Sequence, residues 1–169
     1  MVKCTGYKPG ALEDRYSSDG VFLYDRLNKS DMEMLELAIR CHNMYRIPQG
    51  LNRREQAFCN VLRDADKVDI FKVNIDTPLE EIYNTTTEEL MKSDITDEVL
   101  EAFDEEHCIL KAIRRTPADT VIGHVSLAYE LVYDESVRIT VEQGYLAKLM
   151  HFHSDNEAVS YTHLRAHET

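Results

Sequence analysis

Leu62-Arg63-Asp64-Ala65-Asp66-Lys67-Val68-Asp69-Ile70 places five charged side chains in nine residues. The apolar positions around it, Phe58, Val61, Leu62 and Ala65, recur at helical spacing and predict a helix with a buried stripe. Asp69 follows Ala65 by four residues and Leu62 by seven, so it falls on that stripe. Asp64 and Asp66 flank the stripe, each about 100° from its centre. A carboxylate on a buried face is costly unless it is paired or bound to a metal. The segment therefore reads as an acid cluster with chemistry to do. Arg63 and Lys67, one turn apart, can pair with these acids or hold a phosphate.

Working outward, Asn52-Arg-Arg-Glu55 is a capping box that opens this helix, which runs to about Val73. Upstream, Ser30-Asp-Met-Glu33 has the same form. Leu35, Ala38 and Ile39 continue the helical spacing, and Pro48 stops it. Downstream, Thr77-Pro-Leu-Glu80 opens a third helix with Pro78 at its first position. Short helices are expected over Thr86–Lys92 and Asp97–Cys108. Thr116-Pro-Ala-Asp119 begins a long helix through Tyr133. Ser136–Gln143 follows and ends at Gly144, a left-handed stop. Tyr145 to about His153 is the last. No run has the period-two alternation of a strand. The fold class expected is all-α.

The whole chain has 169 residues, 43% of them hydrophobic and 30% charged, with a formal net charge of -12. That is ordinary for a soluble domain. So acidic a surface repels nucleic-acid phosphates and anionic lipid, and neither is an expected partner. A small phosphorylated molecule stays compatible, because a bound cation locally reverses the sign. There is no apolar run of membrane-spanning length and no secretory leader. Cys4, Cys41, Cys59 and Cys108 form no ligand pair and no small disulfide framework. Cys41 and Cys59 read as small core residues, and the cytoplasm is the expected location.

Five histidines need an account. His42 lies on the apolar stripe of the Ser30 helix, and with Asn43 it suggests a polar pocket. His124 lies near the inner face of the Thr116 helix and reads as a buried, hydrogen-bonded core residue. His107, with His151 and His153, sits near a helix end and reads as surface.

Several segments together resemble a family. Ala38-Ile-Arg-Cys-His-Asn-Met-Tyr-Arg-Ile-Pro48, then Phe58 through Arg63-Asp-Ala-Asp-Lys-Val-Asp-Ile70, are similar to the C-terminal half of an HD-domain metal-dependent phosphohydrolase. The bacterial branch with an Arg-Asp-Ala-Asp-Lys-Leu-Asp motif fits best. Ile95-Thr-Asp-Glu-Val, Thr116-Pro-Ala-Asp119, His124 through Tyr133 and Glu142-Gln-Gly-Tyr-Leu146 extend the likeness over roughly residues 20–150. The resemblance implies an HD-like helical bundle and a small phosphorylated or nucleotide substrate. Its cofactor is a divalent metal (Mn, Mg, Fe or Zn). It assigns Asp66, His42 and Asp64 to the metal, with Asp66 as the late aspartate that helix geometry alone did not single out. His42 and Lys67 become catalytic, and Arg63, Lys67 and Asn43 face the phosphate. Asp69 would hold a neighbouring helix or histidine. The family also uses an early histidine and an adjacent His-Asp pair. This chain has no His-Asp dipeptide and no histidine before His42. The expectation is an N-terminally incomplete domain, with weak or absent metal binding and no activity as it stands. The alternative is a degenerate, non-catalytic helical module that binds a ligand or partner.

The organisation expected is an irregular segment over 1–29, which holds a short apolar helix through Val21, Phe22, Tyr24 and Leu27, and the helical domain over 30–157. Residues 158–169, from Ala158-Val-Ser-Tyr-Thr-His-Leu-Arg to Ala-His-Glu-Thr169, resemble a tagmentation sequencing adapter translated from its third base. They are read as an artefactual tail, and His163 and His167 are assigned no function. Deleting 158–169 is expected to leave the melting temperature unchanged. A fall of several degrees, corresponding to about 1 kcal/mol, would show that the tail contributes to packing.

Overall fold

A computed structural model describes residues 27–150. The short helix expected through Val21, together with Cys4, His151, His153 and the tail, lies outside the described residues. Within them the chain is all-α, with no strand. The helices are α1 (Lys29–Cys41), α2 (Arg53–Asp76), α3 (Leu79–Tyr83), α4 (Thr87–Met91), α5 (Asp97–Asp104), α6 (Pro117–Val125), α7 (Asp134–Gln143) and α8 (Tyr145–Met150). Single-turn 3-10 segments occupy Lys111–Ile113 and Ser126–Glu130. No helix among the described residues is long and apolar enough to cross a membrane.

Local chemistry fixes most helix starts. Asn52 with Glu55, Thr86 with Glu89 and Thr116 with Asp119 each form a reciprocal capping box. Gly144 ends α7 with a φ of 68°, a conformation that costs glycine nothing. The cap of α1 differs from expectation. Asn28, two residues before Ser30, accepts from the Asp31 amide at 3.0 Å. Thr77 makes no side-chain cap either. It closes α2, and Pro78 stands at the cap of α3.

Three ends also differ from the sequence reading. Helix α1 stops at Cys41, well before Pro48. Met44 N–H turns back to the Cys41 carbonyl at 3.2 Å, and Arg63 holds the exit from the other side. Helix α5 stops at Asp104 because Glu106 takes a left-handed φ of 55°. The long helix from Thr116 breaks at Val125. There the buried Ser126 hydroxyl donates to the Gly123 carbonyl at 2.9 Å and accepts from Ile109 N–H at 3.0 Å. A serine that bonds its own helix backbone tightens the turn into 3-10 geometry.

Helix α2 runs through the centre. The pair Arg54–Asp31 at 2.7 Å joins the first turns of α2 and α1, and Arg63 reaches the last carbonyl of α1, so the two run side by side in the same direction. Ala38, Cys41 and Cys59 pack between them, as small core residues should. The main core forms on the other flank, from Phe71, Leu90, Val99, Phe103, Ile109, Val121, Ile122 and Leu149. Asp119, fully buried, ties the starts of α5 and α6 together by accepting from the backbone N–H of Thr96 (2.8 Å), Arg115 (2.8 Å) and Thr116 (3.1 Å).

The buried stripe of α2 is not the one its apolar spacing suggests. Phe58 is 43% and Val61 58% exposed, and Ala65 and Asp69 are exposed as well. The inward face carries Cys59, Arg63, Asp64, Lys67, Phe71 and Asn74. Polar groups can turn inward here because neighbouring helix ends and a core histidine supply their hydrogen bonds.

That histidine is His124. Its Nδ1 faces the Asn74 Oδ1 at 2.8 Å and so carries the proton. Tyr83 hydroxyl donates to the same oxygen at 2.7 Å, and Asn74 donates to the Ile70 carbonyl at 2.8 Å. Helices α2, α3 and α6 are thereby joined. Burial first, then the charges of Arg114 and Lys111, lower the His124 pKa from 6.5 to about 4. Burial also raises the Tyr83 pKa. Between pH 6.5 and about 4 the unfolded chain binds a proton at residue 124 that the folded chain refuses. Stability from this group is complete above pH 6.5 and is lost as the pH falls through that window, by roughly 2 kcal/mol after allowance for partial exposure. Urea unfolding across the window should therefore have a shallower pH slope in His124→Gln than in the parent. Parallel slopes would exclude His124 as the titrating group.

Candidate functional site

The site candidates lie on α1, α2 and the turn after α1, and their surroundings differ from one to the next. Arg63 is 6% exposed and its guanidinium is fully engaged. It donates to the carbonyls of Cys41 (3.2 Å), Met44 and Tyr45 (3.4 Å), and it pairs with Glu130 at 3.4 Å. The Cys41 carbonyl belongs to the negative end of α1, which a cation suits, and those of Met44 and Tyr45 lie in the loop beyond it. A phosphate would have to displace them.

Asp64 is 1% exposed. Its Oδ1 accepts from Val132 N–H at 3.1 Å. Its Oδ2 accepts from Val132 N–H at 3.1 Å and from Tyr133 N–H at 3.0 Å. These amides belong to the two residues that lead into α7, on the side where the helix dipole is positive. The carboxylate thus fixes the entrance to another helix. Nothing in the sequence near residue 64 signals partners 68 and 69 positions away.

Lys67 is 5% exposed, one turn beyond Arg63 on the same face. Burial, followed by repulsion from Arg63, lowers its pKa, and Glu130 and Asp64 oppose that shift. No hydrogen bond or ion pair engages its ammonium among the described residues.

His42 and Asp66 remain. His42 is half-buried at the C-cap of α1, with Nδ1 2.6 Å from the Ile39 carbonyl. Asp66 is half-buried on α2. The contact between Arg63 and the Cys41 carbonyl puts the end of α1 level with residue 63, near the middle of α2. Asp66 lies about 4.5 Å along the axis from Arg63. Asn43, expected to point inward with His42, is exposed because α1 has already ended. Asp69 is exposed too, so the reading of it as a buried strut is corrected. His107 stays at the surface side of α5, where Glu105 at 2.8 Å raises its pKa.

Among the described residues, no group of three or more His, Cys, Asp or Glu side chains is placed to hold a metal ion. A catalytic divalent ion needs about three protein ligands with an open position. His42 and Asp66 offer two, and the Asp64 oxygens already accept from backbone amides. The donor set among the described residues does not fit a catalytic metal. What these residues do accomplish is electrostatic positioning of helix ends.

No family model, no curated protein and no solved structure matches the chain. The family resemblance therefore rests on the quoted motifs alone.

Asp64→Ala should lower the unfolding free energy by about 2–3 kcal/mol, since it leaves two buried amides without an acceptor. Asp64→Asn should cost less, and Asp69→Ala should stay within about 0.5 kcal/mol. Urea midpoints check the order. Equal losses at 64 and 69 would contradict the role of Asp64 at the entrance to α7.

Proposed function

We propose that the chain is the C-terminal part of an HD-type metal-dependent phosphohydrolase acting on a small phosphorylated or nucleotide compound, and that it is inactive as it stands. The observation that carries this reading is the separation of roles within one motif. Arg63 and Asp64 are committed to neighbouring helix ends, and Asp66 and His42 are left half-buried, Asp66 near the middle of α2 and His42 just past the end of α1. In a complete site Asp66 would bind the metal, and His42 would contact metal or phosphate. Lys67 supplies positive charge, the more readily because its ammonium has no partner here. The bound metal would supply hydroxide at neutral pH.

The competing reading is a non-catalytic helical module. It is favoured by one observation, the full engagement of Asp64, which leaves only two candidate ligands. The coding sequence upstream of Met1 separates the two. A His-Asp motif in frame supports the enzyme, and an immediate stop codon supports the module.

The biochemical test joins that upstream segment to residues 1–157 and measures hydrolysis of a generic phosphate ester with manganese. Activity should appear and should vanish in Asp66→Ala, with the chain alone giving none. Turnover by the chain alone that Asp66→Ala abolishes would overturn the half-site reading. Turnover of the joined protein that survives Asp66→Ala would remove Asp66 from the site.

A further inference from the structure

Helices α1 and α2 meet over small side chains. Ala38, Cys41 and Cys59 form the buried cluster between them, with Leu37, Ile47, Leu51 and Leu62 packed around it. Small contact residues let two helices approach closely. Cys41 is 2% exposed and Cys59 0%, and both are free thiols.

We propose that Cys41 and Cys59 are a reversible oxidation site, a dithiol that closes to a disulfide between the end of α1 and the body of α2, with a low-molecular-weight disulfide as its oxidant. Two observations carry this, one of placement and one of access.

The placement is set by Arg63. It follows Cys59 by one turn on the inner face of α2, and it donates to the Cys41 carbonyl at 3.2 Å. The Cys41 backbone is thus anchored one turn from Cys59. One turn is about 5.4 Å, and disulfides join Cα atoms about 4.4–6.8 Å apart. The two side chains then turn into the same cluster rather than away from each other. Cys41 also raises the Cys59 pKa, second to burial, as a neighbouring thiol does.

The access comes from the end of α1. Cys41 is the last residue of that helix, and the connection to α2 follows it. Ile47 and Leu51 pack that connection on the cluster, and most of its other residues are exposed. Helix ends and exposed loops open locally at far lower cost than the whole fold. Lifting this cover bares Cys41 first, because Cys59 lies inside α2.

The exchange then has a fixed order. Cys41 Sγ, once deprotonated, attacks one sulfur of the reagent R–S–S–R and expels R–S⁻, leaving Cys41 in a mixed disulfide. Cys59 gives its proton to solvent and attacks Cys41 Sγ, expelling the second R–S⁻. Each expelled thiolate takes up a proton. Two protein thiols are oxidised to one disulfide, and one reagent disulfide is reduced to two thiols. The inference does not rest on the phosphohydrolase reading, because His42 and Asp66 take no part in the exchange.

Glutathione buffers test it on the full-length chain. The chain is equilibrated with a fixed ratio of oxidised to reduced glutathione, free thiols are blocked, and tryptic peptides are mapped by mass spectrometry. The expected product joins Cys41–Arg46 to Glu55–Arg63 and is reversed by dithiothreitol. At one buffer ratio, linked over unlinked peptide should be about tenfold higher in the native chain than in concentrated urea, because folding raises the effective concentration of one thiol at the other. In Cys59→Ala, the glutathione adduct on Cys41 should accumulate in place of the linked peptide. A ratio in the native chain no higher than in urea would overturn the proposal, since the fold would then hold the sulfurs apart. Native Cys41 or Cys59 joined chiefly to Cys4 or Cys108 would overturn it as well.

Discussion

Two adjacent residues of opposite charge, Arg63 and Asp64, hold two other helices by their opposite ends. The guanidinium collects the carbonyls at the exit of α1, and the carboxylate collects the amides at the entrance of α7. Each charge meets the helix pole of opposite sign. The arrangement explains why a helix in the middle of the molecule can be so polar on its inner face. Its charges do not form an ion pair with each other, and they need none. They satisfy backbone groups that any helical bundle would otherwise leave bare.

Further along α2 the inner face changes from ionic to apolar to neutral polar. Lys67, Asn74 and Phe71 all point inward, yet each meets a different kind of neighbour. Asn74 serves His124 and Tyr83, and Phe71 enters the main core. Asp119, in the first turn of α6, repeats the pattern, gathering three backbone amides from the segments before α5 and α6. The small bundle is fastened as much by buried carboxylates on amides as by its apolar cluster. A motif that resembles catalytic machinery is here largely framework, and only His42 and Asp66 stand outside it.

What the sequence discloses is what neighbouring residues decide. Asn52, Thr86 and Thr116 mark their helix starts because the bonds involved close within three residues. Gly144 marks an end for the same reason. The all-α class follows from these signals. The inner face of α2 is not legible that way. The spacing of Phe58, Val61, Leu62 and Ala65 is a correct reading of an apolar strip, but which strip faces the core depends on what the rest of the chain brings to the other side. Asp64 is apparent as an acid and invisible as a tie to α7, since Val132 and Tyr133 lie far off in sequence. The break at Val125 is hidden likewise, because the Ser126 hydroxyl needs the Ile109 amide to hold it. Of the site, the residue types were legible and their duties were not. Asn43 shows the cost of a misplaced helix end, since an end at Cys41 rather than at Pro48 changes which side chain faces in.

The distance in sequence between Asp64 and its partners also sets an order of events. Arg63 finds its carbonyls 18 to 22 residues away, early in any folding path. Asp64 waits for a segment 68 residues downstream. Closing so large a loop is slow compared with closing the first. During synthesis α2 therefore emerges before α7 exists, with its inner face still hydrated. An apolar inner face would be sticky over that interval, and a charged one is not. The same residues that lock the finished bundle keep the nascent chain soluble until the last helices arrive.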